Sequence, residues 1–382
     1  MSQLNSAPEL TDALKLFRDP QRAQQVIRAI HQQVHPGQTY RLMEFCGGHT
    51  HSLYRYALPQ LLPSEIRLLH GPGCPVCILP AQRIDEAIAL ARRPEVILCS
   101  YGDMLRVPGS HQHSLLQARR DGADVRMVYS PLDTLALAKQ HPERQVVFFA
   151  VGFETTTPPT VCLLQQAVSE DIPNLSIHCN HVLTPPAAIA LLDAEDIAAD
   201  QRLQGMIGPG HVSLVTGLAP FRKLSEDYDL PIAISGFEPL DLLLAIQNLV
   251  TQINEEKSRC DNTYNRAVTE SGNTAAQQLM RQFLELRPHF QWRGLGELAH
   301  SGWQIRPEYA AWDAESRFDL SQVPKSREHP GCECPAVLRG QLEPQHCPLF
   351  ARACTPENPL GACMVSSEGA CAAHYQYRRN CA

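Results

Sequence analysis

Short hydrophobic runs alternate with amphipathic stretches through the middle of the chain. The runs predict buried strands, and they lie at 40–46, 66–72, 95–101, 125–130, 145–153, 175–180, 205–210 and 230–237. Helical periodicity fills the intervals between them, for example at 81–93 and 239–253. Strands that alternate with helices predict an α/β fold, in which parallel sheets are covered on both faces.

A short internal repeat divides this region into two parts. The triplet Gly-Phe-Glu occurs at 152–154 and at 236–238, each time after a hydrophobic run. We therefore predict two similar parallel-sheet α/β lobes, 31–138 and 139–255. The character of the chain changes after residue 255, where polar helices precede a Cys-rich tail, and we predict a small separate domain over 256–382. A helix within residues 1–30 is expected to pack on that domain.

Glycine- and proline-rich motifs follow several of the predicted strands. They read CGGHTH, GFETTTPP, NHVLTPP and GPGHVS. In parallel sheets the functional loops gather beyond the carboxyl ends of the strands, although such motifs are also typical of ordinary turns. Glu154 and Glu238 follow two of the strands, and each could act as an acid or base or could cap a helix. The sequence leaves both alternatives open.

Composition excludes several classes of function. The net charge of −7 over 382 residues argues against general binding of nucleic acid. No apolar stretch reaches the about 18 residues that a membrane-spanning helix needs, and the start of the chain lacks the basic and apolar regions of a signal peptide. We expect a cytoplasmic protein, in which fourteen cysteines are not a disulfide scaffold. The sequence has no phosphate-binding P-loop and no nucleophile elbow.

The C-terminal tail holds seven of the fourteen cysteines. Four of them, Cys332, Cys347, Cys354 and Cys371, are spaced as Cys-x14-Cys-x6-Cys-x16-Cys. This spacing is neither a ferredoxin pattern nor a zinc ribbon. Soft thiolate donors suit an iron–sulfur cluster or zinc, and reduced structural thiols remain a third possibility. Because the other three tail cysteines are also available, chemistry alone does not choose four ligands from seven.

Two further thiol motifs lie upstream. Cys46 follows a predicted strand in EFCGGHTH, close in sequence to His49, so this loop could bind a borderline metal or could simply pack inside. Cys74 and Cys77 form a CxxC motif after a Gly-Pro-Gly turn, which suits either dithiol–disulfide cycling or metal binding. Four cysteines in or beside apolar segments are predicted to be small buried hydrophobes: Cys99, Cys162, Cys179 and Cys260.

Seven segments taken together resemble the HypD family of hydrogenase maturation factors. They are MEFCGGHTH (43–51), HGPGCPVC (70–77), VGFETTTPP (151–159), NHVLTPP (180–186), GPGHVS (208–213), SGFEPLD (235–241) and CMVSSEGACAAHY (363–375). They span nearly the whole chain in the family's order, and the cysteine motifs show no departure from the family's. The resemblance places a [4Fe–4S] cluster on Cys332, Cys347, Cys354 and Cys371, and so makes the C-terminal domain an iron–sulfur domain.

The resemblance also implies a role in building the active site of [NiFe]-hydrogenases. Proteins of this family pair with the small chaperone HypC and form a scaffold on which an iron acquires two cyanides and one carbon monoxide. Cyanide arrives from HypE, with HypF upstream, and the Fe(CN)2CO unit then passes to the hydrogenase large-subunit precursor. The resemblance implicates Cys46 and His49 in holding the iron and Cys74 and Cys77 in thiol redox chemistry. It also implicates Glu368, without a defined role.

Cyanide and carbon monoxide stabilise low-spin Fe(II), so their attachment needs soft donors and a source of electrons. A [4Fe–4S] cluster stores one electron at a time, whereas a CxxC pair exchanges two. We expect Cys46 and a HypC cysteine to ligate the iron between the lobes, beside a CxxC pair that the cluster feeds. The chain would then be an assembly scaffold with redox activity. Two alternatives remain, a cluster-dependent thiol–disulfide oxidoreductase and a non-redox binding platform.

Overall fold

The computed structural model describes residues 15–195 and 201–377. The strands are β1 (Tyr40–Glu44), β2 (Ile66–His70), β3 (Val96–Ser100), β4 (Val125–Met127), β5 (Gln145–Gly152), β6 (Leu175–His181), β7 (Gly205–Pro209), β8 (Ile232–Ser235), β9 (Cys260–Asn262), β10 (Leu284–Leu286), β11 (His289–Trp292), β12 (Gly296–Ala299) and β13 (Trp303–Ile305). The eight hydrophobic runs of the sequence form β1 to β8, so these predicted strands are confirmed.

The α-helices connect these strands and cover both sheets. They are α1 (Pro20–Gln33), α2 (Gly47–Arg55), α3 (Leu58–Leu61), α4 (Pro75–Ile78), α5 (Ala81–Ala91), α6 (Leu115–Arg120), α7 (Pro131–Gln140), α8 (Thr157–Ser169), α9 (Thr184–Leu192), α10 (Gly210–Thr216), α11 (Ala219–Tyr228), α12 (Pro239–Asn254), α13 (Thr274–Phe283), α14 (Ala314–Arg317), α15 (Cys334–Leu338) and α16 (Ala370–Tyr377). None of the helices in the described ranges is long and apolar enough to cross a membrane.

Two parallel sheets form the frame of the molecule. Sheet A has five strands in the order β2-β1-β7-β8-β9, and sheet B has four in the order β4-β3-β5-β6. Every pairing within these two sheets is parallel. The α/β fold class predicted from the sequence is therefore confirmed.

The chain passes from sheet A to sheet B and back again. Strands β1 and β2 belong to sheet A, β3 to β6 build sheet B, and β7 to β9 complete sheet A. The sheets are therefore not divided at residue 138, where we placed the border between the lobes 31–138 and 139–255. Hydrophobic runs reveal which segments become strands, but the neighbour of a parallel strand is chosen by tertiary packing.

Both faces of sheet B are buried, as the continuous apolar runs require. Along β5, Val147 and Phe149 join the core on the side of α5, whereas Val146 and Phe148 pack in the core that α7 and α8 cover. Sheet A is covered on one face by α1 and α12, which contact each other. The predicted N-terminal helix thus packs mainly on sheet A, and its residues 1–14 lie outside the described part of the chain.

Residues 256–377 show less regular structure. Two small antiparallel pairs, β10 with β13 and β11 with β12, precede a segment of turns and short helices that carries the tail cysteines. Cys354 packs with Met364 and Ala372 in a small cluster of its own. This matches the weak periodicity of the tail sequence.

Three of the four cysteines predicted to be buried hydrophobes are buried, namely Cys99, Cys179 and Cys260. The prediction is wrong for Cys162, which is exposed. It lies on α8, where its neighbours Val161 and Leu163 turn toward the core. The apolar composition around a helical residue does not specify its face, because successive helical residues point about 100° apart.

Candidate functional site

Four motif loops meet at the carboxyl edge of sheet A. They follow the neighbouring strands β2, β1, β7 and β8, in the order GPGCPVC, CGGHTH, GPGHVS and GFEPLD. The amide of Gly47 donates to the carbonyl oxygen of Gly73 over 3.0 Å, which joins the first two loops directly. A side chain at position 73 would collide with the backbone of Cys46, so only glycine permits this approach.

Cys46 is the residue that caps the amino end of α2, and it is 9% exposed. Its amide donates to the carboxylate of Glu44 over 3.0 Å. Burial raises the pKa of the Cys46 thiol well above its ordinary range, and the carboxylates of Glu368 and Glu44 raise it further. The thiol therefore keeps its proton at neutral pH until a cation displaces it, as happens when a metal binds.

His49 lies on the first turn of α2 and is completely buried. Its Nε2 lies 3.2 Å from the carbonyl oxygen of Ser235, and this contact assigns the proton to Nε2. Nδ1 then has an unshared electron pair, and it meets no hydrogen-bond partner in the described residues. Burial lowers the pKa of His49 to about 3, so the ring is neutral. A neutral imidazole anchored through one nitrogen is the form that binds metals.

Phe237 is stacked between two imidazole rings. The ring centroids of His49 and Phe237 are 4.8 Å apart, and those of His211 and Phe237 are 3.7 Å apart. His211 lies in GPGHVS and Phe237 in GFEPLD, and the sequence alone singled out neither ring. The available signal was that each motif directly follows a strand.

Glu368 reaches the Cys46 loop from the distant C-terminal segment. A Cβ atom added to Gly47 would lie 2.5 Å from the Cβ of Glu368 and 2.7 Å from its carbonyl oxygen. Glu368 is open to solvent on one side, but its carboxyl loses hydration at this contact. That loss raises the pKa of Glu368, and the nearby carboxylates of Asp103 and Glu44 add to the effect. The structure thus places Glu368 beside the Cys46 loop.

Cys74 and Cys77 form a disulfide at the start of α4, with their Cα atoms 5.3 Å apart. The amide of Cys77 donates to the sulfur of Cys74 over 3.3 Å. Both cysteines are buried, at 4% and 0% exposure. A reductant must therefore reach this disulfide through neighbouring protein groups, or the chain must open locally.

The tail cysteines line one small apolar pocket together with Leu349, Phe350 and Met364. Six cysteines contribute to it: Cys332, Cys334, Cys347, Cys354, Cys363 and Cys371. The four that the resemblance selects are all present, joined by Cys334 and Cys363. No three His, Cys, Asp or Glu side chains of residues 15–195 and 201–377 converge closely enough for a single metal ion.

Thiol hydrogen bonds connect part of this pocket into a chain. The Cys334 thiol is hydrogen-bonded to the thiols of Cys332 and Cys363. The Cys363 thiol is also hydrogen-bonded to that of Cys371. The bonds from Cys332 and Cys363 lower the pKa of Cys334, an effect that the guanidinium of Arg293 reinforces. Cys334 is therefore the member of this chain that most readily exists as a thiolate.

The pocket and the Cys74–Cys77 disulfide are close neighbours. Helix α4 contacts the turn formed by Ala362–Met364, which carries Cys363. Cys74, Cys77, Cys334 and Cys363 all belong to one buried cluster. Arg293 also links the two regions, because its guanidinium donates to the carbonyl oxygen of Leu79, just after α4, over 2.9 Å.

Glu154 and Glu238, the two candidate acids or bases, both cap helices. The Glu154 carboxylate accepts the amide of Thr184 over 2.8 Å, at the start of α9. Glu238 precedes α12, and its own amide donates to Asp241 over 3.1 Å. Glu154 caps α9 through its carboxylate, whereas Glu238 occupies the N-cap position of α12 and its carboxylate pairs with Arg18.

Comparisons with known proteins show the family of the chain. A family model described as "HypD: Hydrogenase formation hypA family" matches residues 21–378. The chain is 54% identical over 364 residues to the hydrogenase expression/formation protein HupD of Azotobacter chroococcum mcd 1, covering 95% of this chain and 96% of that protein. It is 44% identical over 368 residues to the hydrogenase maturation factor HypD of Escherichia coli K12, covering 95% and 97%. The chain belongs to the HypD family of hydrogenase maturation factors.

Proposed function

We propose that this protein is the scaffold on which an iron atom receives two cyanides and one carbon monoxide during hydrogenase maturation. The observation that carries the proposal is that the first turn of one helix presents both the Cys46 thiol and the Nδ1 of His49, which has no hydrogen-bond partner among the described residues. A soft sulfur donor and a neutral imidazole suit iron. Both are buried, which limits the access of water to the cargo.

Cys46 and His49 supply only two donors, so a partner is needed to complete the site. A HypC-like chaperone would contribute a further thiolate from the solvent side of the loop. A HypE-like protein, with HypF upstream, would deliver cyanide, and the finished Fe(CN)2CO unit would pass to the hydrogenase large-subunit precursor. These partnerships follow from the family resemblance, and the incomplete donor set supports them.

The donors of the C-terminal pocket fit a [4Fe–4S] cluster. Each iron of such a cluster binds one thiolate, so four sulfurs around a pocket suit it without converging on a single point. Cys332, Cys347, Cys354 and Cys371 would hold the cluster, which supplies single electrons when bound. Leu349 and Phe350 add an apolar lining beside these sulfurs.

The two remaining pocket cysteines suit a thiol relay to the buried disulfide. Reduction of Cys74–Cys77 consumes two electrons and two protons. Cys334 and Cys363 hold both as a dithiol, and thiol–disulfide exchange would leave them oxidised while Cys74 and Cys77 become thiols. The pKa of Cys334 is lowered by its hydrogen bonds, which favours its thiolate form for this exchange.

The decisive experiment is infrared spectroscopy of the anaerobically purified protein after co-expression with its maturation partners. We expect two cyanide bands and one carbonyl band in the wild-type protein and their loss in Cys46→Ala. Cys162→Ala is the matched control, because Cys162 is an exposed thiol on α8, and it should retain all three bands. Bands of full intensity in Cys46→Ala would refute the proposal.

A thiol–disulfide oxidoreductase is the second candidate, favoured by the contact between α4 and the turn that carries Cys363. That activity needs neither the iron cargo nor a chaperone. It is supported if the wild-type protein lacks the infrared bands but exchanges Cys74–Cys77 with an added dithiol. If the bands are absent and no exchange occurs, a non-redox binding platform is the better description.

A further inference from the structure

A buried carboxylate lies directly behind Cys46. Glu44 is 2% exposed, and it accepts hydrogen bonds from the amide of Cys46 and from the hydroxyl of Thr50. Its Oε1 also lies 3.0 Å from Nδ1 of His70, the residue opposite it on β2. Glu44 therefore ties the first turn of α2 to the neighbouring strand through one acceptor group.

The hydrogen-bonded chain continues from His70 to the C-terminal helix. Nε2 of His70 lies 2.9 Å from Nε2 of His374. Nδ1 of His70 donates its proton to Glu44, so Nε2 of the same neutral ring accepts a hydrogen bond from Nε2 of His374. The tautomers of both rings are assigned from these two hydrogen bonds. Burial lowers the pKa of His374 to about 2, so the ring is neutral, as the chain of bonds requires.

His374 belongs to a different part of the molecule from Glu44. It lies on α16, three residues after Cys371, and its ring centroid is 4.0 Å from that of Tyr54 on α2. A shift of α16 therefore moves the His374 group that donates to His70. The resulting change in the position of His70 alters its hydrogen bond to Glu44. The amide of Cys46 is the far end of this chain.

We propose that Glu44, His70 and His374 are positioning residues for Cys46, which transmit the placement of the cysteine-rich C-terminal segment to the Cys46 loop. Each acts through the next, and Glu44 accepts the hydrogen bond of the Cys46 amide directly. The inference rests on the proposed function for the use of Cys46. The test measures the reactivity of the Cys46 thiol and does not require bound iron.

The test is the rate at which iodoacetamide alkylates Cys46 in the full-length protein, followed on the Cys46 peptide by mass spectrometry. His374→Leu removes the donor while keeping an apolar side chain in the space. We expect alkylation to become about fivefold faster, the effect of losing one hydrogen bond that keeps a buried loop closed. His374→Gln retains an N–H donor and should restore the wild-type rate, which a purely space-filling role would not require.

His178→Leu is the matched control. His178 is also a buried imidazole, and its Nε2 lies 3.2 Å from a carboxylate oxygen of Glu86 far from Cys46. This variant should leave the Cys46 rate unchanged. A wild-type rate in folded His374→Leu, or acceleration by His178→Leu as well, overturns the proposal.

If His374→Leu does not fold, His374→Asn decides the question. Its amide is a donor on a side chain too short to reach His70, so the proposal requires faster alkylation, and a wild-type rate refutes it. Failure of the iron-scaffold proposal would look different. The infrared bands would be absent from the wild-type protein, while the alkylation rates would still follow the His374 variants.

Discussion

Glu368 packs on Gly47, so that a side chain at position 47 would occupy space that Glu368 already fills. Gly47 directly follows Cys46, and Glu368 comes from the same C-terminal segment as Cys371. The contact therefore fixes the distance between the upstream thiol loop and the tail. It also holds a carboxyl group near the Cys46 thiol, where its charge favours the protonated form.

Gly47→Ala should separate these two groups. The added methyl would force Glu368 away from the loop, at a cost of about 1–3 kcal/mol in the free energy of unfolding. We expect the cyanide and carbonyl infrared bands to weaken by about tenfold after co-expression. Gly331→Ala is the control, because a Cβ there meets only ordinary contacts at 3.6 Å. Full band intensity in Gly47→Ala would show that the Glu368 contact is not needed.

The six cysteines of the C-terminal pocket should divide into two groups. Alanine at Cys332, Cys347, Cys354 or Cys371 should reduce the visible absorbance of the cluster to below about a tenth, because one iron then lacks its thiolate. Alanine at Cys334 or Cys363 should leave the absorbance intact and slow reduction of the Cys74–Cys77 disulfide. Absorbance and total iron are measured on anaerobically purified protein. Loss of the cluster in Cys363→Ala would contradict this assignment of ligands.

Glu154 should make the stability of the protein depend on pH. Burial raises the pKa of Glu154 to about 7, above its ordinary 4.5. The folded state thus binds this proton more tightly than the unfolded state. Glu154 therefore lowers the free energy of unfolding as the pH rises from about 4.5 to about 7.

Glu154→Gln keeps an acceptor for the Thr184 amide and removes the titration. We expect the variant to exceed the wild type in free energy of unfolding by about 2 kcal/mol at pH 8, and the gain to disappear near pH 4.5. Urea unfolding at both pH values measures it. Glu357→Gln, at an exposed position, is the control and should change neither value. A gain of equal size at both pH values would disprove the titration.

The ion pair between the buried Asp241 and the solvent-facing Arg266 should contribute to stability. The two terminal nitrogens of the Arg266 guanidinium each donate to the Asp241 carboxylate over 2.6 Å, and Asp241 is completely buried. Asp241→Ala removes this pair and also the acceptor of the Glu238 amide at the start of α12, so we expect a loss of about 2 kcal/mol in the free energy of unfolding. Asp227→Ala breaks the exposed pair with Lys223, 2.8 Å long, and should change stability by less than about 1 kcal/mol. Equal losses in the two variants would contradict the role of burial.

The sequence predicts the strands well and their pairing poorly, for a physical reason. A parallel strand that is buried on both faces must be apolar along its length, as Val146–Val151 show, so each strand is visible by itself. One neighbour of β1 is β2, but the other is β7, which lies far along the chain. No local pattern records that choice, because it depends on which helices fill the faces of each sheet.

The same distinction holds at the site. Residue type and spacing alone indicate metal binding or thiol chemistry at four positions, namely Cys46, His49, Cys74 and Cys77. The chain from Glu44 through His70 to His374 was missed, although all three residues lie inside quoted motifs. Glutamate and histidine in a motif have many uses, and only the folded contacts show that these three bond to one another.

The return of the chain to sheet A has a consequence for the order of events during synthesis. Strands β3 to β6 are contiguous, so sheet B can assemble while the rest of the chain is still on the ribosome. Strand β1 leaves the ribosome early, yet it must wait for β7 before both of its edges are paired. The Cys46 loop at the end of β1 therefore reaches its final contacts only after β7 and the segment that carries Glu368 have been made.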